Sequence, residues 1–416
     1  MLTQKYKRTK FACYMAYFTM SSIFCVPPLL FVTLREIYGI SYTLLGTLVL
    51  TNFCTQLGID LIFTAFSKHF NIAKVVRVMP LITAAGMLTY AVVPTVFPQF
   101  AYGGLLIGTV IFSISAGLSE VLLSPTIAAI PSETPDKDMS RLHSLYAFGV
   151  FTMVVVSTLF LNIFGRENWM YLMGILALLP IIPAVLFMTS PMPDMNKNTS
   201  AETSGKSGGK AMAMALCVGC IFFGSCAENG MGNWISGFME NALHINKTLG
   251  DVLGVAMFAV LLGIARILHS KFGGNIMTIL LTGLCGAAVC YLVAGFCTNV
   301  IVVFIACILT GLFTAMLWPG ALIMMEENIP GVGIAAYALM AAGGDLGASL
   351  SPQLMGIVVD VVSASPFASD LSASTGMTVD QIGMKAAMLT GSIFPILGIG
   401  VMLVTIGYFR KQKTAL

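Results

Sequence analysis

The stretch PMPDMNKNTSAETSGKSGGK, residues 191–210, is the long polar interruption in an otherwise apolar chain, and its Gly, Ser, Asn and Lys content is that of a flexible linker. Its Gly205-Lys206-Ser207 matches the end of a phosphate loop. However, Ser200 stands where that loop needs its first glycine, and no strand precedes it, so the linker reading holds. On each side lie apolar runs of about 20 residues or more, the length a helix needs to cross the hydrocarbon core. Six precede the interruption, near 11–34, 43–66, 75–96, 100–129, 141–164 and 168–190. Six follow it, near 210–241, 249–269, 275–296, 299–325, 334–362 and 384–408. The pattern predicts an all-α polytopic membrane protein with about twelve transmembrane helices. They form two pseudo-symmetric six-helix bundles, 1–190 and 210–416, joined by a cytoplasmic linker over 191–209.

Composition agrees. Of 416 residues, 57% are apolar and 9% charged, and the mean hydropathy is +0.91. A soluble domain carries roughly 25% charged residues, so this chain cannot cover a water-facing surface. A cytosolic enzyme, a secreted disulfide scaffold and a disordered regulator are excluded together. The net charge of +3 leaves no basic patch for nucleic acid. The ten cysteines fall inside apolar runs and read as packing residues. Cys217 and Cys220 form a C-x-x-C on an apolar helix without metal-ligand partners, so no metal site is expected. With the N-terminus cytoplasmic, only Arg35, Arg166, Lys247 and Lys385 of the 21 Lys and Arg fall on the outer side. This asymmetry places both termini in the cytoplasm. The first span is too long for a signal peptide and lacks a small-residue cleavage site, so it reads as an anchor. Short loops without appended domains point to a bacterial cytoplasmic membrane, and no obligate protein partner is evident.

The two halves repeat one another at an offset near 200 residues. Ser67-Lys68-His69-Phe70 ends the second span and Ser270-Lys271-Phe272-Gly273 the eighth. Ser124-Pro125 in the fourth matches Trp318-Pro319 in the tenth, and Pro131 matches Pro330. Six helices, a linker and six related helices are the form of a parallel-repeat transporter, whose site lies where the halves meet. The arrangement resembles the major facilitator superfamily over essentially the whole chain. The loops after spans two and eight are similar to that family's signature loop of Gly, three residues, Asp-Arg, one residue, Gly and basic residues. Here Phe63 replaces the leading Gly, Ser67-Lys68 the Asp-Arg, and Ser270 the Asp of the second copy. Lys68 and Lys271 in these loops are candidate gating residues. Within the superfamily, Gly117-Leu118-Ser119-Glu120 to Pro125, with Met139-Ser140-Arg141-Leu142-His143-Ser144-Leu145-Tyr146, resembles the fucose–proton symporter branch. That resemblance implies a sugar-like substrate and a proton-binding carboxylate at Glu120. It also implies an acidic residue in span one, which this sequence lacks between Phe11 and Leu34.

An ionised side chain at the centre of a membrane helix costs about 2.5–3.5 kcal/mol on insertion scales, so those that occur face a cavity or one another. Glu120 lies mid-span with Ser113, Gly117 and Ser124 at helical spacing. A carboxyl there suits proton binding and release as access alternates; the other reading is a neutral, hydrogen-bonded packing residue. Span seven carries Ser225, Glu228, Asn229, Asn233 and Ser236 within an arc of roughly 140°, with Trp234 pointing away. Amides and carboxylates in fixed directions suit sugar hydroxyls, the alternative being an interhelical network. Asn52, Gln56 and Asp60 form one face of span two, with Asn52 and Gln56 lining the site and Asp60 in coupling or in a gate. Asp345, in a glycine-rich run, marks a hinge or gate or touches ligand, and Arg266 pairs with a carboxylate in a gate or snorkels to the interface. Trp318 is a candidate platform for the apolar face of a sugar. His143 reads as an interhelical hydrogen-bonding residue ahead of a proton relay, and Asn246-Lys247-Thr248 matches a glycosylation acceptor.

An anionic substrate calls for a buried Arg or Lys clamp, and no such pair is present. Neutral polar solutes or cations remain. The first hypothesis is a proton-coupled symporter for a sugar-like solute, without a cofactor and with sodium as the alternative coupling ion. The second is a proton-antiport exporter of organic cations or drugs, with Glu228 or Glu120 as counter-ion. A membrane-embedded receptor or enzyme is the third. Against it, the sequence holds no metal-ligand cluster, nucleophile–base pair, cofactor motif or soluble domain.

Overall fold

In the computed structural model, which describes residues 5–66, 69–133, 135–193, 208–329 and 334–414, the apolar runs are helices, and no strand occurs among the described residues. The helices before the linker are α1 (Lys7–Leu29), α2 (Phe31–Tyr38), α3 (Tyr42–Phe66), α4 (Ile72–Val96), α5 (Ala101–Ala128), α6 (Pro135–Phe164), α7 (Trp169–Leu176) and α8 (Ile181–Met188). After it come α9 (Gly208–Asn241) and α10 (Lys247–Leu249), which runs into a π-helical stretch, Gly250–Ala256. These are followed by α11 (Met257–Phe272), α12 (Ile276–Phe296), α13 (Val300–Thr314), α14 (Leu317–Asn328), α15 (Ile334–Ser363), α16 (Pro366–Thr375) and α17 (Val379–Thr414). Residues 194–207 of the linker lie outside the described residues.

Eleven of the described helical segments are long and apolar enough to cross a membrane, and Phe148–Phe164 within α6 is a shorter apolar run. Large apolar side chains such as Val96, Ile163, Leu178, Ile301 and Val404 are more than half exposed. A belt of this kind is stable against acyl chains and not against water. Prolines divide several runs. Pro27-Pro28 ends α1, and the turn before Pro180 separates α7 from α8. By contrast, Pro125 and Pro352 sit inside continuous α5 and α15. Hydropathy did not anticipate α16, which is polar and set by local signals. The Ser365 hydroxyl accepts from Ala368 N at 3.2 Å, Pro366 follows, and Gly376 closes the helix at φ +76°.

The chain divides into two compact units, Met1–Ile40 with Thr51–Ala201, and Ser41–Leu50 with Glu202–Leu416. The first residues of α3 thus belong with the second unit. The first N–H groups of a helix have no partner within it. Here Asp360 on α15 supplies one, accepting from Tyr42 N at 3.2 Å and Thr43 N at 2.6 Å. Glycines make the approach possible. A Cβ on Gly356 would lie 2.6 Å from the Tyr42 carbonyl oxygen, and one on Gly46 would lie 3.1 Å from the Gln353 backbone. The Tyr42 ring stands 5.5 Å from that of Trp234, whose Nε1 donates to the Pro352 carbonyl at 3.0 Å.

In the first unit α4 and α5 interlock through Gly86 and Gly108, where a Cβ would come within 2.4 Å of Phe112 N and 2.6 Å of Tyr90 N. At the start of α6, buried Asp138 pairs with Lys10 and accepts from Tyr14 at 3.2 Å and from Ser132. Burial alone would push this carboxyl up, but the hydrogen bonds from Lys10, Ser132 and Tyr14 and the Lys10 charge together hold it below its ordinary value.

Asp138 therefore contributes stability that is complete above the unfolded carboxylate pKa and is lost as pH falls through the lower folded value. Asp138→Asn is expected to lower the apparent melting temperature of the detergent-purified protein at neutral pH. The deficit relative to wild type should shrink on acidification, which melting curves across pH will show. Asp360→Ala, which strips the acceptor from two helix N–H groups, is expected to cost about 1–2 kcal/mol, with Asp360→Asn milder, in the same melting assay.

Candidate substrate and coupling site

Within the first unit, the 3.6-residue period of α3 puts Asn52, Gln56 and Asp60 on one buried face, and α5 brings Ser113, Gly117 and Glu120 to it. Gly117 sets the separation, because a Cβ there would lie 3.1 Å from Gln56 Cα and 3.0 Å from Ile59 Cβ. Ser113 donates to Asn52 Oδ1 at 2.6 Å, and Gln56 Nε2 donates to the same oxygen at 3.3 Å and to the Asn52 carbonyl at 3.5 Å. Because a carbonyl takes the Gln56 amide N–H, the remaining Gln56 atom is Oε1, buried and without a hydrogen-bond donor among the described residues. One turn further on, Asp60 is buried and lies near Glu120. Glu120 is half-buried and has no ion-pair partner among the described residues. Two adjacent carboxylates can carry one proton between them.

The second unit carries another polar face, on α9. Asn229 Nδ2 donates to the Ser225 carbonyl and hydroxyl, both at 3.2 Å, and Asn233 Nδ2 donates to the Asn229 carbonyl at 2.8 Å. Asn229 thus spends its amide N–H groups on its own helix and Asn233 one of its two, and neither Oδ1 accepts a hydrogen bond among the described residues. Glu228 and Arg266 are half-buried and face each other, with Nη2 3.7 Å from Oε1, and Arg266 Nε donates to the Ala315 carbonyl at 2.9 Å. Arg266 thus stands beside a carboxylate and a backbone carbonyl.

Trp318 is half-buried, and its ring lies against α15. A Cβ on Gly344 would fall 2.3 Å from Cη2 and Cζ3. The glycine run around buried Asp345 serves close packing. Gly343 admits Val218, and a Cβ on Gly347 would lie 2.3 Å from the Phe222 carbonyl oxygen. Lys271 is exposed at the end of α11, whereas Lys68 and the side chain of His143 lie outside the described residues.

One charged cluster escaped the sequence reading. On the π-helical stretch, Asp251 is 1% exposed, accepts from Ser236, and stands 3.3 Å from the Lys247 ammonium, which also lies 3.8 Å from Glu240. Asp251 falls inside the apolar run 249–269, so a charge in a membrane span was the available signal. Asp360, inside 334–362, carried the same one. Asn246, beside the cluster, accepts from Thr248 N at 2.9 Å as a helix cap.

The fold and these faces define a polytopic helical membrane protein that keeps amides and carboxylates on buried helix faces. Residues 11–352 match the Major Facilitator Superfamily, and the chain belongs to that family of transporters. No curated protein matches it. Among solved structures it is similar to a bacterial homologue of the human lysosomal transporter Spinster in an inward-facing, occupied conformation, at 12% identity and a TM-score of 0.77, covering 98% of each chain. It is also similar to a D-xylose–proton symporter, at 15% identity and a TM-score of 0.71, covering 94% of this chain and 97% of that one. A mutant nucleoside transporter has 13% identity and a TM-score of 0.71, with 97% of this chain and 100% of that chain covered. At these identities the likeness shows the shared fold.

Gly344→Ala is expected to displace the Trp318 ring from α15, because neither the ring nor the helix backbone can yield the missing space at small cost. A change in Trp318 fluorescence emission, measured with Trp169 and Trp234 replaced by Phe, will report it.

Proposed function

We propose that the protein is a secondary active transporter that moves a small neutral, hydroxyl-bearing solute, a sugar or sugar-like compound, by proton-coupled symport. The observation that carries this reading is the set of acceptors left over on the two polar faces: Gln56 Oε1, Asn229 Oδ1 and Asn233 Oδ1. Of these, Gln56 Oε1 is buried, a buried acceptor without a donor costs about 1–3 kcal/mol, and a solute O–H group supplies such a donor. Asn52 holds Gln56 in place, and Trp318 offers the part of its ring not spent on Gly344. Glu120, with the Asp60 carboxyl as its neighbour, binds the proton. The resemblance of the Glu120 and Arg141-to-Tyr146 stretches to the fucose–proton symporter branch supports the same solute class. Against the organic-cation exporter stands Glu228, which already has Arg266 as its cation.

Asp345, Arg266 and Lys271, together with Lys68, belong to gating in this proposal. The inner bias of Lys and Arg supports an orientation with both termini in the cytoplasm, and the short loops support a bacterial cytoplasmic membrane. The transporter needs no cofactor and no obligate protein partner.

Thermal stabilisation of the purified protein against monosaccharides, nucleosides, amino acids and organic cations tests the reading, because a ligand of the folded state must raise its stability. A sugar is expected to score. Asn233→Ala should weaken its binding by about tenfold, the equivalent of one lost hydrogen bond of about 1.4 kcal/mol. In proteoliposomes Glu120→Gln should abolish accumulation driven by a pH gradient while sparing solute exchange. Hits confined to lipophilic cations and lost in Glu228→Gln would overturn the proposal, and accumulation driven by sodium alone would overturn its coupling ion.

A further inference from the structure

Helix α13 ends at Thr314 and α14 begins at Leu317, yet the backbone between them stays right-handed helical, with φ −48°, ψ −40° at Ala315 and φ −96°, ψ −1° at Met316. In an unbroken helix the Ala315 carbonyl would accept from the N–H of residue 319. That residue is Pro319, which has none. Ala315 is fully buried, so water is a poor substitute for the missing donor. Arg266 Nε takes the position at 2.9 Å. The far end of the same guanidinium reaches Glu228 on α9.

The elements around this bond are closely fitted. Leu317 packs on Gly224, one turn before Glu228, where a Cβ would lie 2.7 Å from Leu317 Cβ. Trp318, next along the chain, covers Gly344. We propose that Arg266 is a positioning residue: its Nε–H replaces the donor that Pro319 withholds, and its Nη end fixes Glu228, so one planar side chain sets Trp318 relative to the Glu228–Asn233 face. A lysine ammonium has no rigid fork with which to serve both partners. The functional weight of this device rests on the reading of Glu228 and Trp318 as solute contacts, whereas its physical content does not.

The test is a double-mutant cycle on the full-length, detergent-purified chain. Pro319→Ala returns an N–H to residue 319, so the Ala315 carbonyl no longer depends on Arg266. In the natural background Arg266→Met is expected to lower the apparent melting temperature. With Trp318 as the sole tryptophan, it is also expected to shift Trp318 emission to longer wavelength. In the Pro319→Ala background both effects should fall to less than half. Glu228→Gln, which leaves the Nε bond in place, should leave that non-additivity intact. If Arg266→Met does not yield folded protein, Arg266→Lys enters the same cycle. Equal losses in both proline backgrounds, or unmoved Trp318 emission, would overturn the proposal. No solute is needed, so a failed solute screen sinks the transport reading and leaves this cycle to stand or fall by itself.

Discussion

Inside a bilayer no water is at hand to satisfy a bare N–H or C=O, and each one left unpaired costs several kcal/mol. Long uninterrupted helices meet that demand by themselves. A helix start, proline or break can open a deficit that a side chain fills. The organisation of this protein follows from how those deficits are met. Asp360 fills the one at the start of α3, and with it draws Ser41–Leu50 into the second unit. Arg266 fills the one opened by Pro319. In both cases a charged side chain that looks expensive in a membrane span is held by an obligation of the backbone.

Close approach of helices is the second constraint. Hydrophobic burial gives little preference between a neighbouring helix and a lipid tail, so association rests on packing and on hydrogen bonds between helices. Gly86 and Gly108 let α4 and α5 touch backbone to side chain, and Gly347 brings α15 onto the Phe222 carbonyl. Gly117 plays a double part, holding α5 against α3 at Gln56 and thereby bringing Glu120 near Asp60. The polar faces thus depend on small residues that carry no chemistry of their own.

Chemical capacity then comes from what the fold leaves over. Gln56, Asn229 and Asn233 each give an amide N–H to a backbone carbonyl on their own helix, which leaves the amide oxygens as acceptors. Within the first unit, the Gln56 acceptor and the Asp60 and Glu120 carboxyls are groups suited to a hydroxyl donor and a proton. The Glu228–Arg266 pair, internally neutral, adds no net charge to the face on which it lies.

Length and hydropathy alone determined the helical class, the two halves and the approximate spans, because a twenty-residue apolar run has one stable form in a bilayer. The membership of Glu120, Gln56, Glu228 and Asn233 in polar faces was also legible, since helical period fixes which residues share a side. What a side chain meets on another helix was not. Arg266 could snorkel or pair by sequence, and only helix packing set Ala315 and Glu228 beside it. Asp251 and Asp360 sat in apolar runs as visible anomalies, but their partners Lys247 and Tyr42 are set by helix packing, not by spacing along one helix. Likewise α3 reads as a single span of the first half, and its first residues join the second unit because a carboxylate more than three hundred residues away caps them. Local periodicity orients a residue about its own axis, and only tertiary structure brings the second partner that gives a buried charge its role.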